Sequence, residues 1–193
     1  MATSLLYIHG FNSSPQSHKA QAMARWFAER GAADRLIVPA LPASPRDAMA
    51  LLEREIAGAG PVALVGSSLG GFYATWLAEH HGLKAALINP AVRPWQLLQH
   101  HVGETANYHT GERYVLQPGW VDELRHYDVP SLSHPENLLA MMQTGDETLD
   151  WRDAWDYYGD CHLYRALGGN HGFDDFEAVI PLVLRFCEVT LGA

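Results

Sequence analysis

Lysine is nearly absent from this chain. Only Lys19 and Lys84 occur among its 193 residues, and 13 basic side chains stand against 22 acidic ones, a formal net charge of −9. No cluster of Lys or Arg interleaved with aromatics exists, so nucleic-acid binding has no electrostatic basis. The same field repels anionic substrates unless a local patch offsets it. Cysteine is scarce too, with Cys161 and Cys187 alone; with no secretory signal they are expected to stay reduced. Cys187 falls on the apolar stripe of the last helix, which suits a buried thiol. No stretch approaches the roughly 18 consecutive apolar residues of a membrane span. Met1-Ala2-Thr3-Ser4 has no basic region, and the Leu5-Leu6-Tyr7-Ile8 run that follows is too short for a signal-peptide core. The expectation is a soluble, cytoplasmic protein. Metal-ligand spacing is also missing. His80-His81 and His100-His101 are adjacent pairs that point apart on a helix, and neither H-E-x-x-H nor a paired C-x-x-C occurs.

What remains is an ordinary globular composition, 48% hydrophobic and 10% aromatic, long enough for one domain with a real core. Short apolar runs alternate with helical patterns. Leu5–Ile8, Leu36–Val38, Val62–Val65, Ala85–Ile88, Leu138–Met142 and Cys161–Leu167 read as strands. Between them, Ala20, Met23, Ala24 and Phe27 make a helical stripe, with Ser14 before Pro15 as its candidate cap. Ser44-Pro45 opens a second helix and Leu69–His81 a third. Trp151, Ala154, Trp155 and Tyr158 share one face of another, and a last apolar stripe runs from Phe176 to Cys187. Pro181 inside that stripe implies a kink, or a helix that starts near it. From Trp95 to Pro135 regularity drops to one short helical candidate, Trp95–His101, and the 95–135 stretch reads as a small lid-like insertion. Strands without internal alternation, separated by helices, predict a three-layer α/β/α fold. Its six-stranded all-parallel sheet is expected in the order 2-1-3-4-5-6.

In such sheets ligand chemistry collects at the carboxyl ends of the strands. The third strand ends in Gly66-Ser67-Ser68-Leu69-Gly70, a G-x-S-x-G run in which Ser68 is a candidate nucleophile on a strained strand-to-helix turn. A serine hydroxyl needs an adjacent base. His171, in the Gly-rich loop after the last strand, is the leading candidate among the 11 histidines. Asp146, after the preceding strand, would hold its tautomer, with Glu147 and Asp150 as competitors that could equally be helix caps. The order Ser68, Asp146, His171 is that of α/β-hydrolases. The Leu69 and Phe11 backbone N–H groups are the candidate oxyanion donors. His9 is read as shaping its loop through hydrogen bonds rather than as a base. Asn12 and Arg93 are candidate substrate contacts. Arg93 leaves the fourth strand beside the site, where it meets either an anionic substrate group or a structural partner.

The sequence also resembles the YqiA/YcfP-type esterases, a small bacterial branch of the α/β-hydrolase superfamily. The likeness runs through Leu6-Tyr7-Ile8-His9-Gly10-Phe11-Asn12-Ser13-Ser14-Pro15, Val65-Gly66-Ser67-Ser68-Leu69-Gly70-Gly71 and Tyr73-Ala74-Thr75-Trp76-Leu77. It continues in Asn89-Pro90-Ala91-Val92-Arg93-Pro94, Tyr108-His109-Thr110-Gly111, Gln143-Thr144-Gly145-Asp146-Glu147 and Gly168-Gly169-Asn170-His171. It implies a compact serine esterase acting on small-molecule acyl esters or acyl-CoA thioesters through Ser68, Asp146 and His171, and acyl transfer through such residues needs no cofactor. A non-catalytic binding protein on the same fold is the alternative of another class, distinguished by whether a fluorophosphonate labels Ser68.

Overall fold

Alternate residues of the central strands point to opposite sides of one sheet, and both sides are covered. The computed structural model describes residues 2–192. Its strands, in chain order, are β1 (Ser4–Ile8), β2 (Leu36–Ile37), β3 (Val62–Ser67), β4 (Ala85–Ile88), β5 (Gly103–Ala106), β6 (Arg113–Leu116), β7 (Leu138–Gln143) and β8 (His162–Ala166). The helices are α1 (His18–Ala28), α2 (Pro45–Ala59), α3 (Leu69–His81), α4 (Pro94–Leu98), α5 (Pro118–Leu124), α6 (Trp151–Tyr157) and α7 (Phe176–Phe186). Six strands form an all-parallel sheet in the order β2-β1-β3-β4-β7-β8. Counting sheet strands alone, this is the predicted order.

Leu6, Ile8, Leu64 and Leu87 face a layer containing α2, α3 and α5. Leu5, Tyr7, Ala63, Val65 and Ile88 face Met23 and Phe27 of α1 and Phe176, Ile180 and Val183 of α7. Central strands buried on both faces explain why their sequences are continuously apolar. Each fully buried leucine, such as Leu64, contributes about 1.5–3 kcal/mol of transfer free energy. Cys187 is buried in the second layer, where burial pushes its thiol up to about 12; it and Cys161 are free thiols. Among the described residues no helix is long and apolar enough to cross a membrane.

Three sequence expectations need correction. The α1 cap is Ser17 rather than Ser14. Ser14-Pro15 instead forms a preceding turn, in which the Ser17 N–H donates to Ser14 O and the Gln16 N–H to Ser14 Oγ. The last helix does not start near Pro181 but at Phe176, and it runs through the proline, whose ring faces solvent where water can satisfy the freed carbonyl. The 95–135 stretch is more regular than it reads. Besides α4 it holds α5 and an antiparallel hairpin, β5–β6, registered Gly103 to Leu116 and Ala106 to Arg113.

Candidate active site

The apolar β3 strand delivers Ser68 into a turn that most residues would refuse. Ser68 has φ 56° and ψ −120°, between the last strand residue Ser67 and the first helical residue Leu69. Its N–H donates to Ile88 O (3.0 Å), and its carbonyl accepts from Gly71 N (2.9 Å) and Ala91 N (3.1 Å), tying the turn to the end of β4. The flanking glycines are a steric requirement. A Cβ on Gly66 would stand 2.3 Å from Gly70 O, and one on Gly70 would stand 2.0 Å from Ile8 O. Backbone packing this tight holds a non-glycine residue at positive φ, a conformation that costs on the order of 1–3 kcal/mol.

Asp146 follows β7 and His171 follows β8, and the parallel sheet brings both to Ser68. His171 Nε2 lies 3.1 Å from Ser68 Oγ, and Nδ1 lies 2.8 Å from Asp146 Oδ2. Asp146 Oδ1 accepts from the N–H groups of Thr148 and Leu149, each at 2.9 Å. Its carboxylate is thus fixed from both sides, with only 2% of the side chain exposed. The competitors are placed elsewhere: Asp150 caps α6 through Arg152 N, and Glu147 Oε2 accepts from the His171 N–H at 3.0 Å. A carboxylate on Nδ1–H leaves Nε2 as an acceptor for the serine proton, the arrangement a hydroxyl nucleophile needs.

The loop after β1 closes over the serine, because a Cβ added to Gly10 would come within 3.6 Å of Ser68 Oγ. Among the described residues the Phe11 and Leu69 N–H groups have no protein acceptor. His9 Nδ1 donates to Gly10 O (3.1 Å) and its Nε2 accepts from Leu41 N–H (3.2 Å). Burial holds this imidazole below its usual 6.5, and both nitrogens are committed to shaping the loop.

A cavity of about 430 Å³ opens beside Ser68 and His171, walled by Leu69, Leu97, Leu98 and Leu149 among others. An adjoining cavity of about 510 Å³ shares Ala91, Pro94, Leu97, Thr148 and Leu149 with it but holds none of Ser68, Asp146 and His171. Arg93 lines this second cavity together with Asp150, Asp153 and Asp156. Asn12 faces neither. Its Nδ2 donates to Thr105 Oγ1 (2.7 Å) and its Oδ1 accepts from Tyr114 OH (2.6 Å), so its amide is spent on the β5–β6 hairpin. Among the described residues no group of three His, Cys, Asp or Glu could hold a metal ion.

Two residues that sequence reasoning passed over hold the histidine loop. Asn89 Nδ2 donates to the carbonyls of Asn170 (3.1 Å) and His171 (3.2 Å), while its Oδ1 accepts from Gln143 N (3.0 Å). Gln143 Oε1 accepts from the N–H groups of Asn170 (3.1 Å) and Asp174 (2.8 Å). The available signal was a polar side chain at the end of an otherwise apolar strand.

The model of the uncharacterised protein family UPF0227 matches residues 4–188. The chain belongs to that family. It is the family its motifs resemble. Among solved structures this UPF0227 member is similar to alpha/beta hydrolase domain-containing protein 10 from mouse, at 16% identity and TM-score 0.68 over 96% of this chain and 87% of that one. It is also similar to the ydeN gene product of B. subtilis, at 17% identity and TM-score 0.67 over 96% and 99%. Est1E from Butyrivibrio proteoclasticus matches at 14% identity and TM-score 0.68 over 96% and 86%. At these identities the likeness speaks for the fold, which is that of the α/β hydrolases.

Proposed function

We propose that this chain is a serine hydrolase that cleaves carboxylic esters of small molecules through an acyl-enzyme. The observation that carries the reading is the unbroken chain of hydrogen-bonding atoms from Ser68 Oγ through His171 to Asp146. Ser68 Oγ attacks the ester carbonyl as its proton passes to His171 Nε2, and the negative charge forming on the carbonyl oxygen is received by the Phe11 and Leu69 N–H groups. His171 returns the proton to the leaving alcohol, leaving the acyl group on Ser68. Water then attacks, giving its proton to His171, and the acid departs as Oγ is reprotonated. Asp146 stays ionised throughout and holds the imidazole in one tautomer. The cycle calls for no cofactor. The 95–135 stretch acts as a small lid, a role supported by Leu97, Leu98, His101 and Tyr108 in the cavity wall. One fold relative, Est1E, was solved with ferulic acid bound, a carboxylic acid such as ester hydrolysis releases.

Ser68→Ala should lower kcat by on the order of 10³-fold or more on a panel of matched acyl esters and thioesters. Hydrolysis at the wild-type rate would overturn the assignment. The same panel separates ester from thioester preference, and a fluorophosphonate should label wild type but not the variant.

A further inference from the structure

In a chain this acidic, an unpaired lysine beside the reactive serine calls for a reason. Lys84, the other lysine, pairs with Glu188 at 2.6 Å. Lys19 is in no ion pair among the described residues. It sits on the first turn of α1, lines the cavity that holds Ser68 and His171, and donates from Nζ to Gly172 O at 2.9 Å. That carbonyl is neutral and leaves the ammonium charge without a counter-ion. Burial pushes Lys19 down to about 8, and the field of Asp146 opposes this only in part. A cation whose desolvation is only partly compensated is stabilised by an anion that enters beside it.

A second leftover group belongs to a residue of the same cavity wall. Ser17 Oγ is buried and has no hydrogen-bond partner among the described residues. Ser17 holds the extended backbone of a helix cap, yet its side chain makes no capping bond. A buried hydroxyl left without a partner costs about 1–3 kcal/mol unless something supplies one. The remaining wall is largely apolar, so these are groups that would fix orientation and select among substrates.

Resting on the reading of Ser68 as nucleophile, we propose that Lys19 and Ser17 form an anion subsite, and that the substrate is an ester carrying a carboxylate or phosphate. Lys19 supplies a charge-assisted hydrogen bond, and Ser17 a neutral one once its hydroxyl turns into the cavity. This subsite is the local patch that lets an anion approach a protein of net charge −9. The negative group could be carried on the acyl chain or on the leaving alcohol. The chemistry is the same for both, and two substrate pairs separate them.

For the acyl side, kcat/KM is measured on the p-nitrophenyl monoester of glutaric acid against p-nitrophenyl pentanoate. For the alcohol side, 4-(butanoyloxy)benzoate is set against phenyl butanoate. Lys19→Met should lower the anionic-to-neutral ratio by about tenfold or more in one pair, chiefly through KM. Lys19→Arg should retain most of the ratio, and Ser17→Ala should lower it in the same direction. A ratio within about twofold of wild type in both pairs for Lys19→Met overturns the proposal, because it makes Lys19 a brace for the His171 loop through Gly172 and no more. Calorimetric binding of glutarate to wild type, Ser68→Ala and Lys19→Met keeps the two readings apart. If neither pair is turned over, the esterase reading fails. Glutarate bound equally by wild type and Lys19→Met overturns the subsite whatever the activity.

Discussion

Asn12 is the residue whose replacement tells most about how the site is held. It sits directly after Phe11, at φ 53°, with its amide bonded to both strands of the β5–β6 hairpin. Two further bonds join the same segments, from Tyr108 N to Asn12 O (2.8 Å) and from Asn107 Nδ2 to Ser13 O (2.7 Å). The hairpin has little else, because most of its residues are half-buried or exposed, and an isolated two-stranded hairpin is marginal in water. Burial pushes the Tyr114 phenol up to about 12, so it remains a donor across any assay range.

Asn12→Ala removes two side-chain hydrogen bonds, each worth about 0.5–1.5 kcal/mol net. It also places alanine in left-handed backbone, a further cost of about 1–2 kcal/mol that asparagine partly escapes. The expected loss is about 2–5 kcal/mol, the bonds' share of it coming from the attachment of the hairpin. Asn12→Gly makes the same deletion without the backbone penalty and should lose about 1–3 kcal/mol. Hydrogen exchange over residues 103–116 is the direct assay, with protection falling in the order wild type, Gly, Ala. On the proposed mechanism the Phe11 N–H shifts with its neighbour, so kcat should fall while KM changes less, within the 10²–10³ that losing one oxyanion donor costs (about 3 kcal/mol). Unchanged protection over 103–116 in both variants would refute the reasoning at its root.

Three other outcomes follow from the same geometry. Gly70→Ala drives a methyl to 2.0 Å from Ile8 O, a backbone atom of a central strand, and should destabilise the protein by about 3 kcal/mol or fail to fold; a denaturation midpoint like that of wild type would show that the elbow can yield. Gln143→Met keeps the volume but strips acceptors from the Asn170 and Asp174 N–H groups, so a loss of about 2–4 kcal/mol is expected, with kcat falling ahead of KM as the His171 loop loosens; an equal rise in KM at constant kcat would contradict that positioning role. Because burial holds His9 below 6.5, the unfolded chain binds more protons than the folded one beneath that value. Its contribution to stability is therefore present above pH 6.5 and lost as pH falls through the depressed pKa. His9→Gln, which keeps a donor and an acceptor, should flatten the fall in stability between about pH 7 and about pH 5, and parallel slopes would exclude His9 as a source of acid sensitivity.

The sheet was legible because its strands are buried on both faces, so Leu5–Ile8 or Leu138–Met142 could be nothing polar. The placement of Ser68, Asp146 and His171 was legible for a related reason: the loops at one end of a parallel sheet must converge. The hairpin was not. Gly103–Ala106 and Arg113–Leu116 carry no apolar alternation, since neither face is fully buried, and what pins them is Asn12, Asn107 and Tyr114. Hydrophobic periodicity cannot register polar fastening of that kind. Ser14 reads as the α1 cap because it precedes Pro15, but Ser14-Pro15 closes a turn first and the helix begins after Ser17. Asn89 and Gln143 looked like punctuation at strand ends, yet their amides satisfy the backbone of a loop some 30 or 80 residues away (sequence separations of 27 and 31 for Gln143, 81 and 82 for Asn89).

The strand order has a consequence for how the protein is born. The strands β2, β1, β3 and β4 all come from the first 88 residues, and β7 and β8 add along one side. A chain emerging from the ribosome can therefore pair the sheet that holds Ser68 and the Phe11 loop while Asp146 and His171 are still unmade. Ser68 and His171 are 103 residues apart, and the histidine hangs from the outermost strand. Ser68 has no imidazole beside it until that edge zips on. On the proposed mechanism, reactivity therefore arrives only once residue 171 has been made and β8 has joined the sheet.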